Sequence, residues 1–157
     1  MKIAFHSVYI IILLSACSSR NIENLSVEGN NKYADVTDVS ISGDANNYTF
    51  SVTLSSPDNG CKQYADWWEV ISENGDLVYR RILGHSHTNE QPFKRSGGKI
   101  DISANQTVWI RAHMNNNGYG GITFKGSKAS GFNQVEMPDG FALDLEKARP
   151  LPDGCAF

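Results

Sequence analysis

Along Tyr48-Thr49-Phe50-Ser51-Val52-Thr53-Leu54, apolar and polar side chains alternate strictly. A period of two is that of a strand burying one face. Val36, Val39 and Ile41 predict a strand before it, and Trp67–Ile71 and Leu77–Leu83 predict two after it. Asn74-Gly75 between the latter pair is the chemistry of a tight hairpin turn, whose central residues need positive φ. Pro57-Asp58-Asn59-Gly60 is likewise turn chemistry. Lys99–Ala104 and Thr107–His113 predict two more strands and Phe132–Met137 a seventh, while Ala142–Lys147 reads either as one helical turn or as an eighth strand. Residues 84–98, and the Asn- and Gly-rich residues 115–130, read as long loops. No long segment carries the 3.6-residue apolar period of a helix. The pattern therefore predicts an all-β fold, an antiparallel β-sandwich of about seven strands.

The N-terminus follows a different pattern. Lys2 precedes an apolar run, Val8–Leu14, that is far shorter than the ~20 residues needed to cross a bilayer. It reads as an export signal. Leu14-Ser15-Ala16-Cys17 resembles the bacterial lipobox. The resemblance implies cleavage before Cys17 and lipidation, including palmitate, of its thiol. Two or more acyl chains hold a protein firmly to a membrane. Ser18 stands where an Asp would retain an enteric lipoprotein at the inner membrane. The expected location is the cell envelope, at the outer membrane if the host is Gram-negative. Ser18–Asn31 is polar and without period, the composition of a tether. The expected organisation is a signal over 1–16, lipidated Cys and tether over 17–32, and a sandwich with a C-terminal tail over 33–157.

Composition changes this picture little. The 157 residues hold 14 Lys and Arg against 17 Asp and Glu, net −3, which supplies no basic surface for nucleic acid. The cysteines matter more. With Cys17 given to lipid, Cys61 and Cys155 remain, and an even pair in an exported chain predicts one disulfide closing a loop of 94 residues. Two free thiols or an intermolecular bridge are the alternatives.

Two resemblances refine the reading. Thr107–His113 with its Asn/Gly loop resembles the sixth strand and following loop of fibronectin type III domains, which implies an Ig/fibronectin-like order. Tyr64-Ala65-Asp66-Trp67-Trp68-Glu69-Val70, the stretch His85–Ser96, and Arg111-Ala112-His113 with Gly118-Tyr119-Gly120-Gly121 resemble a family of small secreted bacterial proteins. That family carries no activity over to this chain.

In a fibronectin-like order the loops after the second, fourth and sixth strands share one pole. They are residues 57–66, 84–98 and 113–121. The expected function is non-catalytic binding of an envelope protein or glycan there, with Tyr64, Asp66, Phe93, Asn117 and Tyr119 as the contact surface. The other reading of these aromatics, and of Trp67 or Trp68, is core. The alternative function is a metal protein or metal-dependent enzyme. His85 and His87 point the same way in an extended chain, and with His113 they make a three-nitrogen set suited to Zn(II) or Cu(II), with Glu90 as fourth ligand or imidazole acceptor. Against it, these histidines read equally as polar loop and strand-cap residues. Asp66 and Glu69, three apart in a strand, should face opposite ways and so cannot flank one substrate. Asp66 is instead expected to partner Arg80 or Arg111. No Gly-x-Ser-x-Gly elbow or phosphate-binding glycine loop is present, and no catalytic residue is expected.

Overall fold

A computed structural model describes residues 32–156. The signal, Cys17 and nearly all of the tether lie outside the described residues. Eight strands form two antiparallel sheets packed as a sandwich. They are β1 (Asp35–Ser42), β2 (Tyr48–Ser55), β3 (Ala65–Ser72), β4 (Leu77–Ile82), β5 (Phe93–Ile100), β6 (Val108–Met114), β7 (Phe124–Ser127) and β8 (Gly131–Gln134). The small sheet runs β1-β2-β5 and the large one β4-β3-β6-β7-β8. This is the fibronectin-like arrangement with one strand added at an edge. A 3₁₀ turn, Leu143–Lys147, follows, so the helical-turn alternative for this segment holds.

β2 alternates as its sequence predicts, with Tyr48, Phe50, Val52 and Leu54 buried between the sheets. Val70 and Trp68 of β3 meet them, as do Val108, Ile110, Ala112 and Met114 of β6. Trp68 is therefore the large residue at the centre. Trp67 points to the other face of β3, yet it is also buried. The cause is the chain after β8. Residues 137–148 cross the outer face of the large sheet and build a second apolar cluster from Ile71, Trp109 and Leu145, with Met137 and Phe141 against it. Strands β3 and β6 are consequently buried on both faces.

Two boundaries differ from the sequence reading. The strand expected at Lys99–Ala104 begins at Phe93, inside the expected long loop. Its apolar alternation is broken because Gly97 takes an inward position and the ring of Tyr79 fills the space; a Cβ there would lie 2.5 Å from the Tyr79 hydroxyl. Residues 124–127 form β7 within the other expected loop, and the predicted seventh strand becomes β8, displaced to 131–134. β7 is only four residues long, and its Gly126 lies against the backbone of Gly131 and Phe132, so it shows no apolar alternation.

The N-terminal entry to the domain is fixed. Val36 N–H donates to Ile122 O, and Ile122 N–H donates to the Asp35 carboxylate. Gly121 lies against the Ala34 carbonyl so closely that a Cβ would overlap it. Gly121→Ala is therefore expected to cost about 1–3 kcal/mol, read as a lower midpoint in chemical unfolding with the slope unchanged.

Candidate functional site

The loops after β2, β4 and β6 do meet at one pole, and backbone-directed hydrogen bonds brace them together. Asp58, read from sequence only as a turn residue, is the hub. Its carboxylate accepts from Ser56 Oγ, Ala65 N–H and His87 N–H at 2.7, 2.9 and 2.7 Å. Gly60 N–H donates to Ser86 Oγ. Asn115 accepts from Tyr64 N–H and donates to Cys61 O, and Asn116 donates to Gln63. The Cys61–Cys155 disulfide forms, with Cα atoms 5.5 Å apart, and ties the C-terminal tail to the same pole. Asn117 Nδ2 donates to Lys32 O at 3.0 Å, so the chain enters the domain at this pole as well.

The expected contact surface is only partly presented. Tyr64, Phe93 and Asp66 are buried, whereas Asn117 is exposed and Tyr119 half-buried. Phe93 lies within the core and Tyr64 beneath the loop junction, because the pole closes on its aromatics and leaves amides and hydroxyls outside.

The histidines separate into two groups. His87 is buried with its ring stacked on Phe93, centroids 3.8 Å apart, and His85 lies beside it at 4.5 Å. His113 is held elsewhere, on the outer face of β6. Its Nδ1 is 2.6 Å from Asp66 and its Nε2 3.5 Å from Glu146, and its ring stacks on Trp67 at 3.6 Å. Glu90 turns outward and pairs with Arg95, whose guanidinium holds its carboxyl below the usual range. The expected ligand set of His85, His87, His113 and Glu90 is thus not assembled, and no three His, Cys, Asp or Glu side chains among the described residues converge as a metal site.

The two nitrogens of His87 have no hydrogen-bond partner, and the Asp58 carboxylate is 3.8 Å from Nδ1. Burial, then the nearby Arg95 and His85, push its pKa below the ordinary 6.5, outweighing Asp58 and Glu90. The folded state therefore favours neutral His87. Its contribution to stability is present above pH 6.5 and is lost as pH falls through the depressed value, because the unfolded chain takes the proton first. His87→Phe keeps the stack on Phe93 and removes the proton. It is expected to be neutral or stabilising at pH 7 and to flatten the decline in urea midpoint below about pH 6.5.

The outer face of β3 and β6 carries what the sequence concealed. A register shift between Ala65 and Trp67 turns Asp66 toward the same face as Trp67 and Glu69, overturning the expectation that the two carboxylates face apart. Asp66 takes His113, not Arg80 or Arg111, as its hydrogen-bonded partner. Burial raises its pKa despite that bond. Glu69 is fully buried and accepts from Arg80 at 2.6 and 2.8 Å and from Arg111 at 2.7 Å. The remaining guanidinium N–H groups hold the crossing segment by its backbone. Arg80 donates to Leu145, Ala148 and Pro150 carbonyls, and Arg111 to those of Phe141 and Ala142. Arg80 also lies over Trp67 and Arg111 over Tyr119, at 4.4 and 3.5 Å.

An Asp–His pair can orient an imidazole as a general base. Here His113 is buried, and its two ring nitrogens face carboxylate oxygens of Asp66 and Glu146. The arrangement positions the 3₁₀ turn. The signal for it was legible: Trp109, Arg111 and His113 form a period-two stripe opposite Val108, Ile110 and Ala112, and a large apolar Trp on that otherwise polar stripe marks a face that something covers.

Beside this face lies a cleft of about 460 Å³, between residues 119–123 and residues 134–143, with Arg111 in its lining. Sequence reasoning missed it because the walls come from a loop and a crossing segment with no regular period.

Fold and site together define a small β-sandwich whose loop pole is braced, cross-linked and contiguous with the N-terminal entry of the chain. No protein-family profile and no solved structure matches it. A protein of Halomicrobium mukohataei described as "Putative lipoprotein" is 42% identical over 90 residues, covering 56% of this chain and 44% of that relative. The chain thus spans less than half the length of that relative.

Proposed function

We propose that this chain is a lipid-anchored envelope protein whose sandwich is a non-catalytic binding module. Cys17 carries the lipid, residues 17–32 form the tether, and the pole of residues 57–66, 84–98 and 113–121 contacts an envelope protein or glycan. In a Gram-negative host the membrane is the outer one. The lipobox and the description of the relative support the anchor. The observation that carries the binding reading is the pole itself. Three loops are braced by hydrogen bonds and a disulfide, so their exposed amides are held in place before any partner arrives, which lowers the entropy cost of binding. Because the chain enters at Lys32 beside Asn117, the tether holds this pole near the membrane. Fourteen residues lie between Cys17 and Lys32.

Two measurements test the reading. Cells fed labelled palmitate should label the wild-type chain, and Cys17→Ala should abolish the label; a labelled Cys17→Ala chain overturns the anchor. The full chain carrying Cys17→Ala should co-sediment with isolated envelopes. Adding alanine at exposed Asn59, Asn89 and Asn116 should abolish that association, while Glu73→Ala at the opposite end keeps it. Association indifferent to the three asparagines overturns the pole.

A further inference from the structure

The cleft beside the pole is built unlike the pole. One wall is the Tyr119–Thr123 loop, supported from behind by the Ala34–Val36 backbone. The other is residues 134–143, held by the carbonyl bonds of Arg111 to Phe141 and Ala142. Both walls are therefore pinned. The volume of about 460 Å³ suits a small organic molecule rather than a peptide strand. Its apolar lining includes two of the three large hydrophobic residues that the described domain leaves exposed, Val135 at 38% and Leu143 at 52%. Met137 and Phe141 continue that surface inward.

Charge selects among apolar ligands. Two carboxylates line the cleft, Glu136 and Asp139, both exposed and neither in an ion pair among the described residues. The cation in the lining, Arg111, already donates to Glu69, Phe141 and Ala142 and lies on the Tyr119 ring. With a further Nη1 bond to Met137 Sδ, four of its five N–H groups are committed. Tyr119 lines the same wall, with its ring face already taken by Arg111. Deepening the reading of this chain as a non-catalytic binding module, we infer that the cleft binds a small organic cation with an apolar body, an arylalkyl- or alkylammonium. Its apolar part lies against Met137, Phe141 and Leu143, and its ammonium faces Glu136 and Asp139.

The test uses the full chain, purified from membranes, with ¹³C-methyl methionine. Met137 reports on the cleft, and fully buried Met114 on the core. Phenethylammonium should shift the Met137 methyl signal saturably, at one site per chain, and leave Met114 in place. Glu136→Gln with Asp139→Asn should weaken binding about tenfold, the loss expected for removing charge-assisted contacts. The anion 3-phenylpropionate should not shift Met137. An unshifted Met137, an equal response to the anion, or unchanged affinity in the double variant overturns the inference. So does a concentration-dependent dimer in sedimentation that blocks the shift, because a second copy would then occupy the cleft. Alanine at Asn59, Asn89 and Asn116 should leave phenethylammonium binding intact, so failure of the cleft and failure of the pole are read separately.

Discussion

Replacing Glu69 by alanine is expected to destabilise the domain by about 3–5 kcal/mol, the range found when one partner of a buried ion pair is removed. The reason is the geometry of the outer face. Glu69 is fully buried and is the carboxylate hydrogen-bonded to both Arg80 and Arg111, themselves 5% and 2% exposed. Without it, two guanidiniums stay in a water-poor layer with backbone carbonyls and rings as their remaining neighbours. Such groups re-solvate by releasing what they hold, so the crossing segment 137–150 should loosen first. Glu69→Gln keeps the volume and one set of acceptor lone pairs, and should lose less. Urea unfolding measures the loss, and hydrogen exchange at Leu145 and Ala148 locates it. As a control, Lys94→Ala breaks an exposed pair with Asp38 and should cost under about 1 kcal/mol. Equal losses in Glu69→Ala and Lys94→Ala would show that the buried cluster contributes nothing particular.

Reduction of Cys61–Cys155, or the paired substitution of both by alanine, is the second large effect. The bridge spans a sequence separation of 94. For a loop of that length the chain-entropy account gives a loss of about 4–5 kcal/mol, because the unfolded chain regains the freedom that the cross-link removed. The folded domain should change little elsewhere. Arg80 still holds the tail at Pro150, and the two sheets do not include residue 155. The expected result is therefore a large drop in urea midpoint with a larger unfolding slope, as the unfolded chain exposes more surface, and native-like protection retained at Val52, Val70 and Ile110. Loss of protection at those core positions at neutral pH without denaturant would mean that the disulfide supports the sandwich itself.

Sequence alone determined the fold class and most of the strands, because burial of one sheet face imposes a period of two that Tyr48–Leu54 shows directly. It also pointed to the cysteine pair, since Cys61 and Cys155 have one intramolecular way to close. Three things were decided only in three dimensions. Gly97 hid an inward position of β5, because a residue without a side chain carries no polarity to read. The register shift at Asp66 put two carboxylates on one face, because a single extra residue inverts the alternation on which the sequence reading depends. The crossing segment turned Glu69, Arg80, Arg111 and His113 from apparent surface groups into a buried network and formed one wall of the cleft. Contacts between residues more than 60 positions apart, such as Arg80 with Leu145, leave no local periodicity, so the candidate site was legible as residues and not as a place.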